Sequence, residues 1–201
     1  AAAYQVAYLT AYVALVRRGN LQAGETLLVH GASGGVGMAA VDIGKLLGAT
    51  VIATGGSDAK LQRVLAYGAD HVINTEHGFR EQVKALTGGR GADVIYDPVG
   101  GDIFDESTRC INFDGRLLII GFTSGRIASI PTNIPLIKGF SVMGVRAGEY
   151  GRQFPEKGAE NLQIIWDWVR EEKTRPHVHA ELPLSQSVSY THLTLPTMQV
   201  V

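Results

Sequence analysis

The sequence predicts an α/β fold built on a doubly wound, six-stranded parallel sheet. Three observations lead there. Short runs rich in Val, Ile and Leu recur along the 201 residues. Helical patterns separate most of them, and the helices close on glycine turns such as Gly48-Ala49, Gly68-Ala69 and Gly88-Gly89. Strand–helix alternation of this kind implies right-handed crossovers and a parallel sheet.

The strands are expected at 26–30, 50–54, 71–73, 93–96, 116–120 and 141–145. Their nearly continuous apolar character suits strands covered on both faces. Helices are expected at 35–47, 58–66, 79–86 and 102–111. Two flanking helices complete the pattern. Residues 7–18 carry Tyr8, Tyr12, Leu15 and Val16 on one stripe, and residues 159–172 turn Leu162, Ile165, Trp166 and Val169 inward.

With 45% hydrophobic and 18% charged residues, the chain can bury a substantial core. Its formal net charge is −1, and it lacks the basic face that a nucleic-acid partner needs. Cys110 is the single cysteine, which excludes a disulfide framework and points to a reducing, cytoplasmic setting. No apolar run approaches the roughly 20 residues of a membrane span. The start, Ala1-Ala2-Ala3-Tyr4, lacks both an initiator methionine and a signal-peptide pattern, so the chain is read as cut from something longer.

The most informative stretch runs from Leu27 through His30, Gly31, Ala32, Ser33, Gly34, Gly35, Val36 and Gly37 to Met38. A buried strand enters a glycine turn, and a helix opens inside that turn. Small residues there admit a pyrophosphate to the backbone, and the helix N-terminus offers free N–H groups at its positive end. A second strand follows, which places the loop in the context of a Rossmann dinucleotide site. A phosphate-binding P-loop fits less well, because Gly44-Lys45 is followed by Leu46 and falls within a helix.

Cofactor choice is read at the end of the second strand. NAD-binding versions place an acid there for the ribose 2′-hydroxyl. Here the chain reads Ala53-Thr54-Gly55-Gly56-Ser57-Asp58-Ala59-Lys60, with the first acid several residues late. Ser57 and Lys60 offer donors to a 2′-phosphate, which favours NADP(H). The alternative reading makes Ser57 a helix N-cap and Lys60 a solvated helix residue.

Several spaced motifs resemble the medium-chain dehydrogenase/reductase superfamily. They are Thr10-Ala11-Tyr12, Gly34-Gly35-Val36-Gly37, Gly68 to Asn74, Gly91 to Gly100 and Gly115-Arg116-Leu117. Within it, the chain is similar to the zinc-independent quinone oxidoreductases of the ζ-crystallin type. That resemblance implies a GroES-like catalytic domain lying before this segment and rejoined at its end. It also implies that NADPH reduces a quinone or activated enone. By motif, Gly34, Gly35 and Val36 would face the pyrophosphate, Ser33 would belong to the same cofactor site, and Ser57 and Lys60 would meet the 2′-phosphate. Val99, Gly121 and Phe122 would line the adenosine and nicotinamide path, with Thr10 near the nicotinamide. Relatives pair the last strand of the sheet across a two-fold axis, which implies a homodimer through the edge between Phe140 and Val145.

The chain departs from this pattern twice. Thr75 stands where many NADPH-dependent members have a tyrosine, which weakens the NADP(H) reading without reversing it. After Ser185 the string from Val188 to Thr197 resembles a translated sequencing adapter. Residues 1–22 are therefore read as a linking helix, 23–184 as the Rossmann domain and 185–201 as an extraneous tail; a divergent terminal strand is the alternative. His192 receives no function.

No catalytic residue and no metal ligand is assigned. His177 and His179 lack a third ligand. His30 is read as packed or hydrogen-bonded, Asp97 as a loop organiser and Cys110 as a packed residue on a helix. Two other functions stay open: a zinc-dependent alcohol dehydrogenase with its ligands elsewhere, and a nucleotide-binding sensor or structural protein without turnover.

Overall fold

The computed structural model describes residues 2–178 and 183–186. His179, His192 and the expected tail, apart from Ser185 and Gln186, lie outside the described residues. Helix α1 (Ala2–Tyr12) continues into a π-helical segment, Val13–Arg18. There follow β1 (Thr26–Val29), α2 (Gly35–Leu46), β2 (Thr50–Gly55), α3 (Asp58–Tyr67) and β3 (His71–Asn74). Next come α4 (Arg80–Leu86), β4 (Ala92–Asp97), α5 (Gly101–Ser107) and β5 (Ile111–Ile119). The last elements in the sheet region are α6 (Asn133–Lys138), β6 (Ser141–Gly144), α7 (Ala147–Gln153) and α8 (Pro155–Arg170).

All six expected strands form one parallel sheet in the order β3-β2-β1-β4-β5-β6. This is the doubly wound Rossmann order, and it reverses between β1 and β4. The register places Leu28 between Ile52 and Ile95. Alternate side chains feed two core layers. Leu27, Val29, Val51, Val94, Tyr96 and Leu118 pack with residues of α1, α2 and α8, including Tyr12, Val41 and Ile165. Leu28, Ile52, Ile73, Ile95 and Leu117 pack with Phe79, Val83 and Phe104. Because both faces are covered, neither alternates with polar residues, which is why the strands read as continuous apolar runs.

Five expectations are corrected. Strand β5 begins at Ile111 rather than at 116, and α5 stops at Ser107 rather than at 111. Cys110 is buried in the turn between them, not on a helix, where burial pushes its thiol up to about 12. Helix α8 starts at Pro155, which suits the first helical turn because its missing N–H has no partner to lose. On α8, Ile165 is fully buried, but Trp166 and Val169 are exposed and Asn161 turns inward instead. Asn161 is held by Arg17, whose Nε donates to its Oδ1 at 2.7 Å.

The expected first helix is present, and its stripe residues Tyr8, Tyr12 and Leu15 belong to the same core as the sheet. Tyr8 donates to Asp42 on α2, and Asp42 also accepts from the Arg175 N–H. The entering helix and the segment after α8 are therefore both fastened to α2.

Candidate functional site

The crevice between the carboxyl ends of β1 and β4 is where an open α/β sheet binds a ligand. Strand β1 ends at Val29, and the chain turns through Gly31, whose φ of +56° lies in the left-handed region open to glycine. Ala32 is buried, whereas Ser33, Gly34 and Gly35 are exposed. Gly34 is the N-cap of α2 and supplies no side-chain cap. The N–H groups of Gly35, Val36 and Gly37 occupy the first helical turn, where helix geometry provides no acceptor.

Two glycines here do different things. A Cβ at Gly37 would run into the Gly31 carbonyl oxygen and lie 2.7 Å from Ala32 Cα. Gly37 thus permits the close packing of α2 on the loop. A Cβ at Gly35 would meet nothing within 4 Å. That space, bordered by free N–H groups at the positive end of a 12-residue helix, fits a pyrophosphate.

The facing wall comes from the loops after β4 and β5. Asp97 is buried at the end of β4, and its Oδ1 accepts from the N–H groups of Val99 and Gly100 at 2.8 and 2.9 Å. Its Oδ2 is buried without a hydrogen-bond partner among the described residues. Burial therefore pushes this carboxyl up from its ordinary value, while the two N–H donors pull the other way. The expected loop-organising role of Asp97 is what the geometry shows. Thr123 and Ser124 N–H groups donate to the carbonyls of Pro98 and Val99, which fastens the two loops together. The Gly31 position is within 3.4 Å of Val99 Cγ2, and Gly100 sits against the Phe122 ring. Val99 is thus brought beside the glycine loop, and Gly121 and Phe122 lie against Pro98 and Gly100 in the loop that holds it.

At the neighbouring strand end, Ser57 occupies the N-cap of α3, yet its side chain makes no capping bond. Lys60 is exposed. The first acid, Asp58, accepts from Asn74 Nδ2 at 2.7 Å. Thr10 lies on α1, where its hydroxyl donates to the Val6 carbonyl, and the described contacts do not bring it to the loop.

His30 is fully buried, and burial lowers its pKa to about 3, so the ring is neutral. Its Nδ1 is 2.7 Å from Thr54 Oγ1 and its Nε2 2.8 Å from Ser107 Oγ. The expected packed and hydrogen-bonded role holds. Its partners lie 24 and 77 residues away, so no local pattern could have named them.

A separate open groove of about 570 Å³ lies between α4 and α5, lined by His77, Arg80, Asp102, Glu106 and others. It contains none of the glycine-loop residues. Glu106 there is already engaged, accepting from the Phe79 and Arg80 N–H groups at the start of α4. Among the described residues, no group of three His, Cys, Asp or Glu side chains is placed to hold a metal ion. No described helix is long and apolar enough to cross a membrane.

Comparison with known proteins agrees with this geometry. The family profile described as zinc-binding dehydrogenase matches residues 35–164, more than half of the chain. Quinone oxidoreductase-like protein 2 of Bos taurus is 38% identical over 197 residues, covering 96% of this chain and 56% of the relative. A mycobacterial protein solved in complex with NADPH superposes with a TM-score of 0.88 at 27% identity, covering 98% of this chain and 60% of that one. The nucleotide-binding subdomain of the enoylreductase domain of PpsC from Mycobacterium tuberculosis superposes with a TM-score of 0.76 at 32% identity, covering 87% of this chain and 98% of that one. The chain spans about half the length of the curated relatives it matches. It belongs to the zinc-binding dehydrogenase family, within the medium-chain dehydrogenase/reductase superfamily that its motifs resemble.

Proposed function

We propose that the chain is the nucleotide-binding part of an NADPH-dependent reductase acting on a quinone or an activated enone. The observation that carries this reading is the open first turn of α2 at the switch point, beside a second strand that ends without a free acid. The likeness to quinone oxidoreductase-like proteins and to a structure solved with NADPH supports it.

NADPH, when bound, supplies the hydride. The residues of this chain bind and orient it. The Gly35, Val36 and Gly37 N–H groups meet the pyrophosphate, with Ser33 and Gly34 leaving room for it. The Ser57 hydroxyl and the Lys60 ammonium donate to the 2′-phosphate. Val99, Gly121 and Phe122 wall the path and exclude water, and Thr10 serves the nicotinamide end. Stabilising charge on the substrate oxygen falls to the GroES-like part, so no catalytic residue and no zinc ligand is assigned within residues 23–184. Residues 1–22 are assigned as the link to that part and 185–201 as extraneous.

We assign the protein to the cytoplasm, as a homodimer through the β6 edge. Exposed Phe113, Leu136 and Ile137 near that edge support pairing with a second copy; a mass that stays monomeric at every concentration would refute it.

The test is a fluorescence titration with NADPH and NADH, on the wild type and on Lys60→Ala. NADPH should bind more tightly to the wild type. Lys60→Ala should weaken NADPH by about fivefold, the scale of an exposed charge contact, and leave NADH unchanged. Equal weakening of both would remove Lys60 from the 2′-phosphate.

A further inference from the structure

We infer that His30 is a positioning residue, whose neutral ring holds three sides of the cofactor crevice in register through two buried hydrogen bonds. This rests on the reading of the crevice as a dinucleotide site.

The bonds can be assigned from the network. Ser107 donates its hydroxyl to the Ile103 carbonyl at 2.7 Å. Its oxygen is then an acceptor for the His30 Nε2–H, and the bare Nδ1 accepts the Thr54 hydroxyl. Only a neutral ring with its proton on Nε2 satisfies both. Phe79 packs against the ring at 4.8 Å between centroids, so the imidazole has little freedom to turn.

Each partner belongs to a different wall. His30 immediately precedes Gly31, where the glycine loop begins. Thr54 is three residues before Ser57, and its carbonyl accepts the Ala32 N–H at 3.0 Å, a second tie between that loop and β2. Ser107 ends α5, the helix that starts from the loop holding Val99 and Gly100. One side chain therefore ties the start of the pyrophosphate loop to the end of β2 and to α5, the helix that carries the loop of Val99 and Gly100 at its other end, while its own atoms stay out of reach of any ligand. Burial of a polar ring at this point is costly unless both nitrogens are paired. An apolar residue of similar size would fill the space without fixing the distances.

The test compares NADPH and NADH affinities of the 201-residue chain with those of Thr54→Val, Ser107→Ala and His30→Phe. Melting curves confirm that each variant folds. The two single-bond variants change few atoms, and they keep the inference testable if His30→Phe does not fold. Thr54→Val should weaken NADPH by about tenfold and NADH less, because it frees the β2 end. Ser107→Ala should weaken both nucleotides alike. In the His30→Phe background, adding either substitution should change affinity by less than about twofold, because the bonds are already gone. Long-range nitrogen–proton correlations should show an Nε2–H ring that does not titrate between about pH 5 and 8. Folded variants that bind both nucleotides within about twofold of wild type would overturn the inference, as would an Nδ1–H ring. A folded wild type that binds neither nucleotide would instead remove the dinucleotide reading, and this inference with it.

Discussion

The two strand ends that face each other across the crevice are built on opposite terms. At the β1 end, His30 has both ring nitrogens paired, and Gly37 is locked against the backbone of the loop. At the β4 end, Asp97 uses one oxygen for two N–H donors and leaves the other buried without a described partner. At the first end the buried ring is paired at both nitrogens and insensitive to pH near neutrality. The second keeps its loop in place at the cost of burying a carboxyl. The crevice thus has one wall held by fully paired ring nitrogens and one wall whose stability depends on a proton.

The largest effect should come from breaking the first of these walls. Gly37→Ala forces a Cβ onto backbone atoms of Gly31 and Ala32, which cannot move aside as a side chain end would. Overpacking of this kind costs about 3 kcal/mol, or about 10 °C in melting temperature for a chain of this length. Scanning calorimetry with and without NADPH should show the lower midpoint and no nucleotide-induced rise. A variant that melts like the wild type would mean that α2 can slide along the loop.

On the other wall, Asp97→Ala leaves the Val99 and Gly100 N–H groups without their acceptor. Relief of the buried carboxyl offsets part of that, so the expected loss is about 2 kcal/mol, smaller than for Gly37. Denaturant titration would measure it, and an unchanged midpoint would show that the loop is held by its bonds to Thr123 and Ser124 alone.

Asp97→Asn separates the acceptor from the charge. The folded state raises the Asp97 pKa above its ordinary 3.8, so the native protein holds the proton more tightly than the unfolded chain. Its stability contribution is complete below 3.8 and declines as pH rises through the folded value. Melting temperatures measured upward from about pH 4 should fall less steeply in the Asn variant than in the wild type. Parallel profiles would show that Asp97 contributes nothing to the pH dependence.

How much of this was readable in the sequence depended on what each element faces. Strands such as β1, with Leu27, Leu28 and Val29 all inaccessible to solvent, announce themselves by continuous apolar residues. The first half of β5 did not. It runs through exposed Phe113 and through Asp114 at φ +61°, beside a register shift between Ala92 and Val94. Helix α6 escaped notice because it has no buried residue and carries Pro135 within it, leaving no stripe to count. On α8 the inward position taken by Asn161 is polar, so a count of hydrophobic spacing favoured Trp166. The glycine loop is a local device and was legible as such. Asp97 and His30 were recognised by residue type, but their partners come from other elements and only the fold brings them together.

The smallest effect should come from the one glycine in the loop whose side chain position is empty. Gly35 heads α2 and has an ordinary negative φ, so alanine introduces no backbone strain, and its Cβ would meet no atom within 4 Å. Helix propensity even favours alanine modestly, so the free protein should melt within about 0.5 kcal/mol of wild type. Any penalty should appear only when nucleotide is present, because the methyl group would then stand where the pyrophosphate approaches the first-turn N–H groups. Gly35→Ala should therefore weaken NADPH and NADH to the same degree, since both carry that pyrophosphate, while leaving the unliganded melting curve in place. If both nucleotides bind Gly35→Ala as tightly as wild type, the diphosphate does not rest on this turn. The open space beside Gly35 would then be solvent rather than cradle, and the contrast with Gly37 would concern packing alone.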